Sequence, residues 1–363
     1  MKILYDHQMF TMQRFGGVTR YFAELMACLP TGFEACLPQG LWSDNYYLKE
    51  TVGYPSRVLK RPDAFRWRRR LYYFMNQGLT VCRTRRGDYD VLHPTWYDPY
   101  VLRRRRKPLV ITVHDLIQER FSGDFRFYDR SGLNKKKLMR AADHIIAVSH
   151  CTKADIVSIA GIAPEKVSVV HHGYRPAAHL NPVPPLGAHY VLYVGDRRKY
   201  KNFVTFAEAM APLLQADGRL SVICAGAPFT PEESALFSRL GLGTGRFQTL
   251  QATDAQLVSL YRHADVFVYP SLYEGFGIPI LEAFANGCPV CLSRASSFPE
   301  VAGEAAAYFD PASAEDMRMA IERVVYDAPE AARLKSAGLE RVKLFSIDKM
   351  VAGTCDVYRR FGL

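Results

Sequence analysis

Residues 265 to 290 limit what this 363-residue chain can become more than any other stretch. Val266 to Tyr269 is a short β-rich run that Pro270 and Ser271 stop. A loop with Gly275 and Gly277 follows, and Pro279 stands where helices begin, at a position that does not need its missing N–H. Ile280, Leu281, Phe284 and Ala285 recur at helical spacing until Gly287 ends the helix. The stretch therefore reads strand, glycine loop, helix, with Glu274 before the loop and Glu282 inside the helix. Gly275, Phe276, Gly277 and Ile278 let a ligand approach the backbone and lead into a helix N-terminus, whose N–H groups and partial positive charge suit a diphosphate. Glu282, one turn in, suits the hydroxyls of a ribose. Glu274 faces whatever hangs beyond the phosphates. This is the footprint of a nucleoside diphosphate carrying a third group.

The pattern recurs elsewhere. Lys2 to Tyr5 reads as a first strand, followed by Gly16-Gly17 and a helix from Val18 to Leu29, again a turn that tolerates phosphate. Leu109 to Val113 is a continuous apolar run, as expected of a parallel strand buried on both faces. It delivers His114 and Asp115 at its carboxyl end, where open α/β sheets place ligand-binding groups. A buried strand after Asp143 with Ser149 at its tip, a helix from Thr152 to Ile159 and a strand Val167 to Val170 lead to His171-His172-Gly173. The paired histidines lack further ligands at metal-site spacing, so no metal is expected. Pro176, Pro182, Pro184 and Pro185 lie in a stretch without periodicity that reads as a linker. The second half opens with Tyr190 to Val194, which runs into Gly195-Asp-Arg-Arg-Lys-Tyr-Lys-Asn. A strand from Leu220 to Ala225, a helix from Asp254 to Arg262 and a helical C-terminal third complete it. Alternating strands and helices in two halves predict an α/β protein of two doubly wound, Rossmann-like domains facing a cleft.

The chain is 48% hydrophobic and 23% charged, a globular composition that excludes disordered and fibrous classes. No apolar run reaches the ~18 residues of a membrane span, and the N-terminus lacks the apolar segment of a signal peptide, so a cytoplasmic location is expected. Eight scattered cysteines, with Cys288 and Cys291 as a lone Cys-x-x-Cys, read as reduced core thiols. The net charge of +11 is concentrated. Residues 57 to 107 carry fifteen Lys or Arg against four Asp, which accounts for the whole excess. Arg66 to Arg70 with Leu71, Tyr72, Phe74 and Met75 form a basic, aromatic helical segment suited to an anionic membrane surface or a polyanionic acceptor. Nucleic acid is the competing partner and is not expected. Asp88-Tyr89-Asp90 matches a metal-binding Asp-x-Asp pattern, but it precedes Val91 and Leu92 and reads as the approach to a strand.

Pro-Ser-Leu-Tyr-Glu-Gly-Phe-Gly-Ile-Pro-Ile-Leu-Glu-Ala, with seven residues between Glu274 and Glu282, resembles the signature of retaining glycosyltransferase family 4. The likeness covers nearly the whole chain and implies the GT-B fold. It implies an N-terminal acceptor-side domain over residues 1–180, a nucleotide-sugar domain over 187–345, and a last helix, 346–363, crossing back to the first domain. It implies that Gly16 and Gly17 close over the donor diphosphate and that His114 orients the donor sugar. An arginine and a lysine past the strand at Tyr190 neutralise the diphosphate in such enzymes. Lys201 falls at the expected place, while the arginine is Arg197 or Arg198, with Arg197 favoured.

The resemblance implies a metal-independent hexosyl transfer that needs no cofactor beyond the nucleotide-sugar donor, to a glycan or lipid-linked acceptor. Negative charge builds on the departing diphosphate, so fixed positive groups supply most of the catalysis. His114, Arg197, Lys201 and Glu274 are the expected catalytic residues. Tyr-Asp-His-Gln near the N-terminus, with Gly-Gly-Val-Thr-Arg-Tyr-Phe, is similar to bacterial mannosyltransferases of surface polysaccharide assembly. GDP-mannose is therefore the expected donor, with UDP-glucose and GDP-linked deoxysugars open. Two rivals stand: a GT-B epimerase or synthase, and a non-enzymatic polyanion-binding protein acting through residues 57–107.

Overall fold

The structure, a computed structural model, describes residues 1–57, 66–103, 105–121, 131–176, 188–243 and 245–362. The chain divides into two compact units, Met1–Gly173 with Ser346–Leu363, and Tyr174–Phe345. Of the proline-rich linker stretch, Pro182, Pro184 and Pro185 lie outside the described residues.

Among its described residues the first unit holds six short parallel strands: β1 (Lys2–Tyr5), β2 (Glu34–Cys36), β3 (Val91–His93), β4 (Val110–Val113), β5 (His144–Ala147) and β6 (Val167–Val169). They form two sheets, ordered β2-β1-β3 and β4-β5-β6, joined by a parallel bridge between Leu92 and Leu109. Every residue of β4 and β5 is buried, which is why these strands read as apolar runs rather than alternating ones. Asp90 accepts the Lys2 N–H at 2.7 Å and Asp88 pairs with Arg83, so both carboxylates of the Asp-x-Asp sequence brace the start of β3. Residues 34–57 hold β2, a helix Tyr46–Glu50 capped by Asn45, and a bridge from Trp42 to Arg57.

The helix Ile347–Arg359 belongs to this unit. Ser346 caps it, and Ile347, Met350, Val351, Thr354, Cys355, Val357 and Tyr358 are buried at helical spacing. Each large apolar side chain so buried contributes on the order of 2 kcal/mol. The Tyr358 hydroxyl sits 3.0 Å from the Tyr5 hydroxyl and 2.5 Å from His93 Nδ1. Gly173 is a glycine because a Cβ there would lie 2.6 Å from the Ile347 Cα.

The second unit is one six-stranded parallel sheet of β7 (Tyr190–Val194), β8 (Ser221–Ala225), β9 (Phe247–Leu250), β10 (Val266–Tyr269), β11 (Val290–Ser293) and β12 (Ala307–Phe309). Its order is β12-β11-β10-β7-β8-β9. The chain starts mid-sheet, winds outward through β8 and β9, then returns to β10 on the other side of β7. Helices Phe203–Ala216 and Ala314–Tyr326 pack on it around Val191, Phe206, Met210, Val268, Cys291 and Ile321.

All eight cysteines are free thiols. The expectation of core thiols needs correcting for three: Cys82 is exposed, and Cys28 and Cys151 are half-buried. Among the described residues, no helix is long and apolar enough to cross a membrane.

Candidate active site

Neighbouring strands β7 and β10 send their following connections to opposite sides of the sheet, which opens a crevice at their carboxyl ends. Lys201 enters it from the turn after β7, and Glu274 from the loop after β10. Lys201 Nζ stands 2.6 Å from Glu274 Oε1 and 3.3 Å from the Tyr269 hydroxyl. The two charged side chains are 12% and 11% exposed, so the pair is largely out of water. Burial, and then the Glu274 charge, push the Tyr269 phenol up, which keeps it a proton donor. The Leu272 N–H donates to the Tyr200 carbonyl at 2.8 Å and ties the two loops together.

Beyond Glu274 the glycine loop leads into the helix Ile278–Ala285, which begins one residue before Pro279. Gly277 has φ +99°, and a Cβ there would meet Ile280 Cδ1 at 3.0 Å and Phe298 Cε1 at 3.1 Å. Only glycine fits. Among the described residues no side chain caps this helix, an N-terminus of the kind that attracts anions. Glu282 lies in the second turn, where the Tyr261 hydroxyl donates to its Oε2 at 3.2 Å. Lys201, Glu274 and the segment Gly275–Ile278 thus lie around one crevice.

The two candidate arginines after β7 differ in their surroundings. Arg197 is 6% exposed and gripped by Glu233, at 2.6 Å to Oε1 and 3.1 Å to Oε2. It also donates to the Pro228 carbonyl at 2.8 Å and packs over the rings of Phe203 and Phe229. These bonds use its Nε and Nη2 and hold β7 to the helix Pro231–Arg239, while its Nη1 is buried without a hydrogen-bond partner among the described residues. Arg198 is 63% exposed and pairs with Asp196 at 3.2 Å, so it is the arginine whose charge is accessible.

In the first unit, His114 follows β4, as expected of a group at a strand end. Its Nδ1 lies 3.5 Å from His172 Nε2, and the Tyr21 ring meets both imidazoles edge-on. Burial pushes His114 down to about 3, so it is neutral, and its Nε2 is buried without a hydrogen-bond partner among the described residues. Gly17 opens the helix Gly17–Ala27, and the Gly16 carbonyl accepts from Arg20 N–H at 3.0 Å and Thr19 Oγ1 at 2.9 Å.

Sequence reasoning assigned no role to Tyr269, Tyr261, His172, Ser296 or Ser297. The two tyrosines are hidden by their apolar surroundings, since a phenol in a strand or a helix reads as core. The serines carried a faint signal, as small polar residues just past the carboxyl end of a buried strand.

Comparisons with known proteins identify the family and the fold. The model of "Glycosyltransferase Family 4" matches residues 15–177, and that of "Glycosyl transferases group 1" matches residues 179–341. A D-inositol 3-phosphate glycosyltransferase of Streptomyces bingchenggensis is 30% identical over 308 residues, 76% of this chain and 67% of the relative. The chain belongs to the family 4 glycosyltransferases. An MMP alpha-(1->4)-mannosyltransferase of Mycolicibacterium hassiacum is 28% identical over 79% of this chain and 74% of the relative. O-antigen chain mannosyltransferase B of Escherichia coli is 29% identical over 75% of this chain and 74% of the relative. Among solved structures, sucrose-phosphate synthase from Thermosynechococcus elongatus superposes with a TM-score of 0.72 at 19% identity, covering 99% of this chain and 98% of that one. The fold of this glycosyltransferase is GT-B.

Proposed function

We propose that this glycosyltransferase moves mannose from GDP-mannose, with retention of anomeric configuration and without a metal ion, to a glycan or lipid-linked acceptor in the assembly of a bacterial surface polysaccharide. The observation that carries the reading is the Lys201–Glu274 pair at the crevice of a nucleotide-type sheet, beside an uncapped helix N-terminus. The mannosyltransferase relatives support the sugar. Glu282 takes the ribose, the Gly275–Ile278 segment the diphosphate, and Glu274 the hexose hydroxyls. His114 Nε2 and the Gly16-Gly17 turn keep, in the first unit, the donor roles the family likeness gives them.

The anomeric C–O bond breaks with its electron pair going to the diphosphate, and the acceptor hydroxyl attacks from the same face. The departing phosphate oxygen takes the acceptor proton. Lys201 and Arg198 meet the growing charge, the work a divalent ion would otherwise do. Thermal unfolding with GDP, UDP, ADP and dTDP tests the base. A shift with GDP alone, lost in Glu282→Ala, is the expected result. A shift with UDP instead would displace the donor, and donor consumption without acceptor would favour the epimerase reading.

The partner of the basic stretch is an anionic membrane surface. Leu71, Phe74 and Met75 are exposed on one face of the helix Arg66–Arg86, with the Arg70 guanidinium over the Phe74 ring. Exposed Met12, Phe15 and Tyr46 lie alongside, where Arg69 donates to the Met12 carbonyl and Arg14 covers Phe15. Solvent-facing apolar side chains interleaved with guanidinium groups suit a lipid interface better than a polyanion in water. Co-sedimentation with phosphatidylglycerol vesicles, weakened in Phe15→Ser/Phe74→Ser, is expected. Equal binding to DNA, unaffected by that double substitution, would favour the polyanion reading.

A further inference from the structure

Two serines from the loop after β11 hold the peptide that carries Glu274. The Glu274 N–H donates to Ser296 Oγ at 3.0 Å, and the same hydroxyl donates to the Glu274 carbonyl. Ser297 Oγ, fully buried, lies 3.0 Å from the carbonyls of both Glu274 and Phe276. One strand end earlier, the Ser293 hydroxyl donates to the Ser271 carbonyl at 2.5 Å. Three carbonyls of the Ser271–Phe276 segment, those of Ser271, Glu274 and Phe276, are therefore held by serines at the end of β11 and in the loop after it.

That orientation has a geometric corollary. Every described peptide bond is trans, and across a trans peptide the carbonyl and the following N–H point in opposite directions. Gripping the carbonyls of Glu274 and Phe276 aims the N–H groups of Gly275 and Gly277 away from the serine loop. Those are the glycines beside the uncapped helix N-terminus.

The backbone supplies a second, independent observation. Among the described residues, two non-glycine residues have positive φ: Asn202 at +58° and Ser296 at +56°. Asn202 directly follows Lys201, and Ser296 grips Glu274, so both conformations flank the same ion pair. A serine in this region costs on the order of 1 kcal/mol that glycine would avoid. The hydroxyl is what glycine could not supply.

We propose that Ser296 and Ser297 are positioning residues for the transfer, setting the direction of the Glu274 carboxylate and of the Gly275 and Gly277 N–H groups toward the donor. This rests on the donor site assigned above. Because diphosphate charge is greatest in the transition state, misaimed groups should reduce kcat more than they raise donor KM.

Ser296→Gly separates the hydroxyl from the backbone, because it removes the hydrogen bonds and relieves the strain together. Expected are an unfolding temperature equal to or above that of the unsubstituted protein, a kcat about tenfold lower or less with a smaller change in donor KM, and faster hydrogen exchange in residues 270–280 with the rest unchanged. Ser297→Ala should move exchange and kcat in the same direction. Unchanged exchange in residues 270–280 would overturn the proposal whatever the activity, and so would an unchanged kcat. A fall in unfolding temperature parallel to kcat would overturn it too, making Ser296 a stability residue. If the unsubstituted protein transfers no hexose while exchange still quickens in Ser296→Gly, the clamp stands and the donor reading falls.

Discussion

Lys201 and Glu274 neutralise each other across the ends of two adjacent strands, 2.6 Å apart and largely shielded from water. In the proposed donor complex, the diphosphate would give the lysine a second anion and leave the carboxylate to the sugar. Lys201→Ala removes the cation and leaves a buried carboxylate beside the Tyr269 phenol, at about 3 kcal/mol in stability. Thermal unfolding should show the loss, and most of it should return in Lys201→Met/Glu274→Gln, where no charge is stranded. The transfer rate should fall about a hundredfold or more in either protein, because neither restores the cation.

The two arginines after β7 should separate cleanly. Arg197→Ala removes both bonds to Glu233 and the packing on Phe203 and Phe229, so the unfolding temperature should drop. Arg198→Ala touches an exposed side chain and should leave stability within about 0.5 kcal/mol. Nucleotide affinity measured by calorimetry should fall in Arg198→Ala. If it falls only in Arg197→Ala, the diphosphate contact belongs to Arg197.

Acid should weaken the first unit through its histidines. Burial pushes His7, His93 and His114 down to about 3 and His144 down to about 4. An unfolded histidine titrates near 6.5, so below that pH the unfolded chain binds more protons than the folded one. Their contribution is complete above about pH 6.5 and is lost progressively toward pH 3 to 4, at about 1.4 kcal/mol per pH unit for each histidine. Asp6, raised by burial, works the other way, because its folded form takes up a proton first as pH falls. Unfolding temperatures should stay level from pH 7.5 to about 6.5 and fall from there to pH 5, with a shallower slope in His93→Gln.

Tyr358→Phe should cost about 1–2 kcal/mol, since it takes the hydroxyl from His93 Nδ1 and Tyr5 inside a sealed core. The unfolding temperature should fall while nucleotide binding to the second unit stays intact.

Much of this was legible in the sequence because parallel strands buried on both faces leave continuous apolar runs, as Val110–Val113 and Tyr190–Val194 do. The helix Ile278–Ala285 was legible from Pro279, Gly287 and the spacing between them. What escaped depends on residues distant in the chain. The partner that confines Arg197 is Glu233, on another helix, and no local pattern reports it. The apolar residues Leu71, Phe74 and Met75 recur at core-like spacing yet face solvent, because a helix's outer face is set by what it packs on. The positive φ of Ser296 left no trace in residue type, since a serine there is the exception a propensity rule would miss.

The first unit is assembled from Met1–Gly173 and Ser346–Leu363, whereas the second is one continuous segment. During synthesis, Tyr5 and His93 must wait for Tyr358, which lies 265 positions beyond His93, while the whole of Tyr174–Phe345 leaves the ribosome. The part made first is finished last. A chaperone that shields apolar surface should therefore engage the nascent chain through Ile3, Val91 and Val110, whose core neighbours include the late helix. It should let go once Ser346–Leu363 emerges.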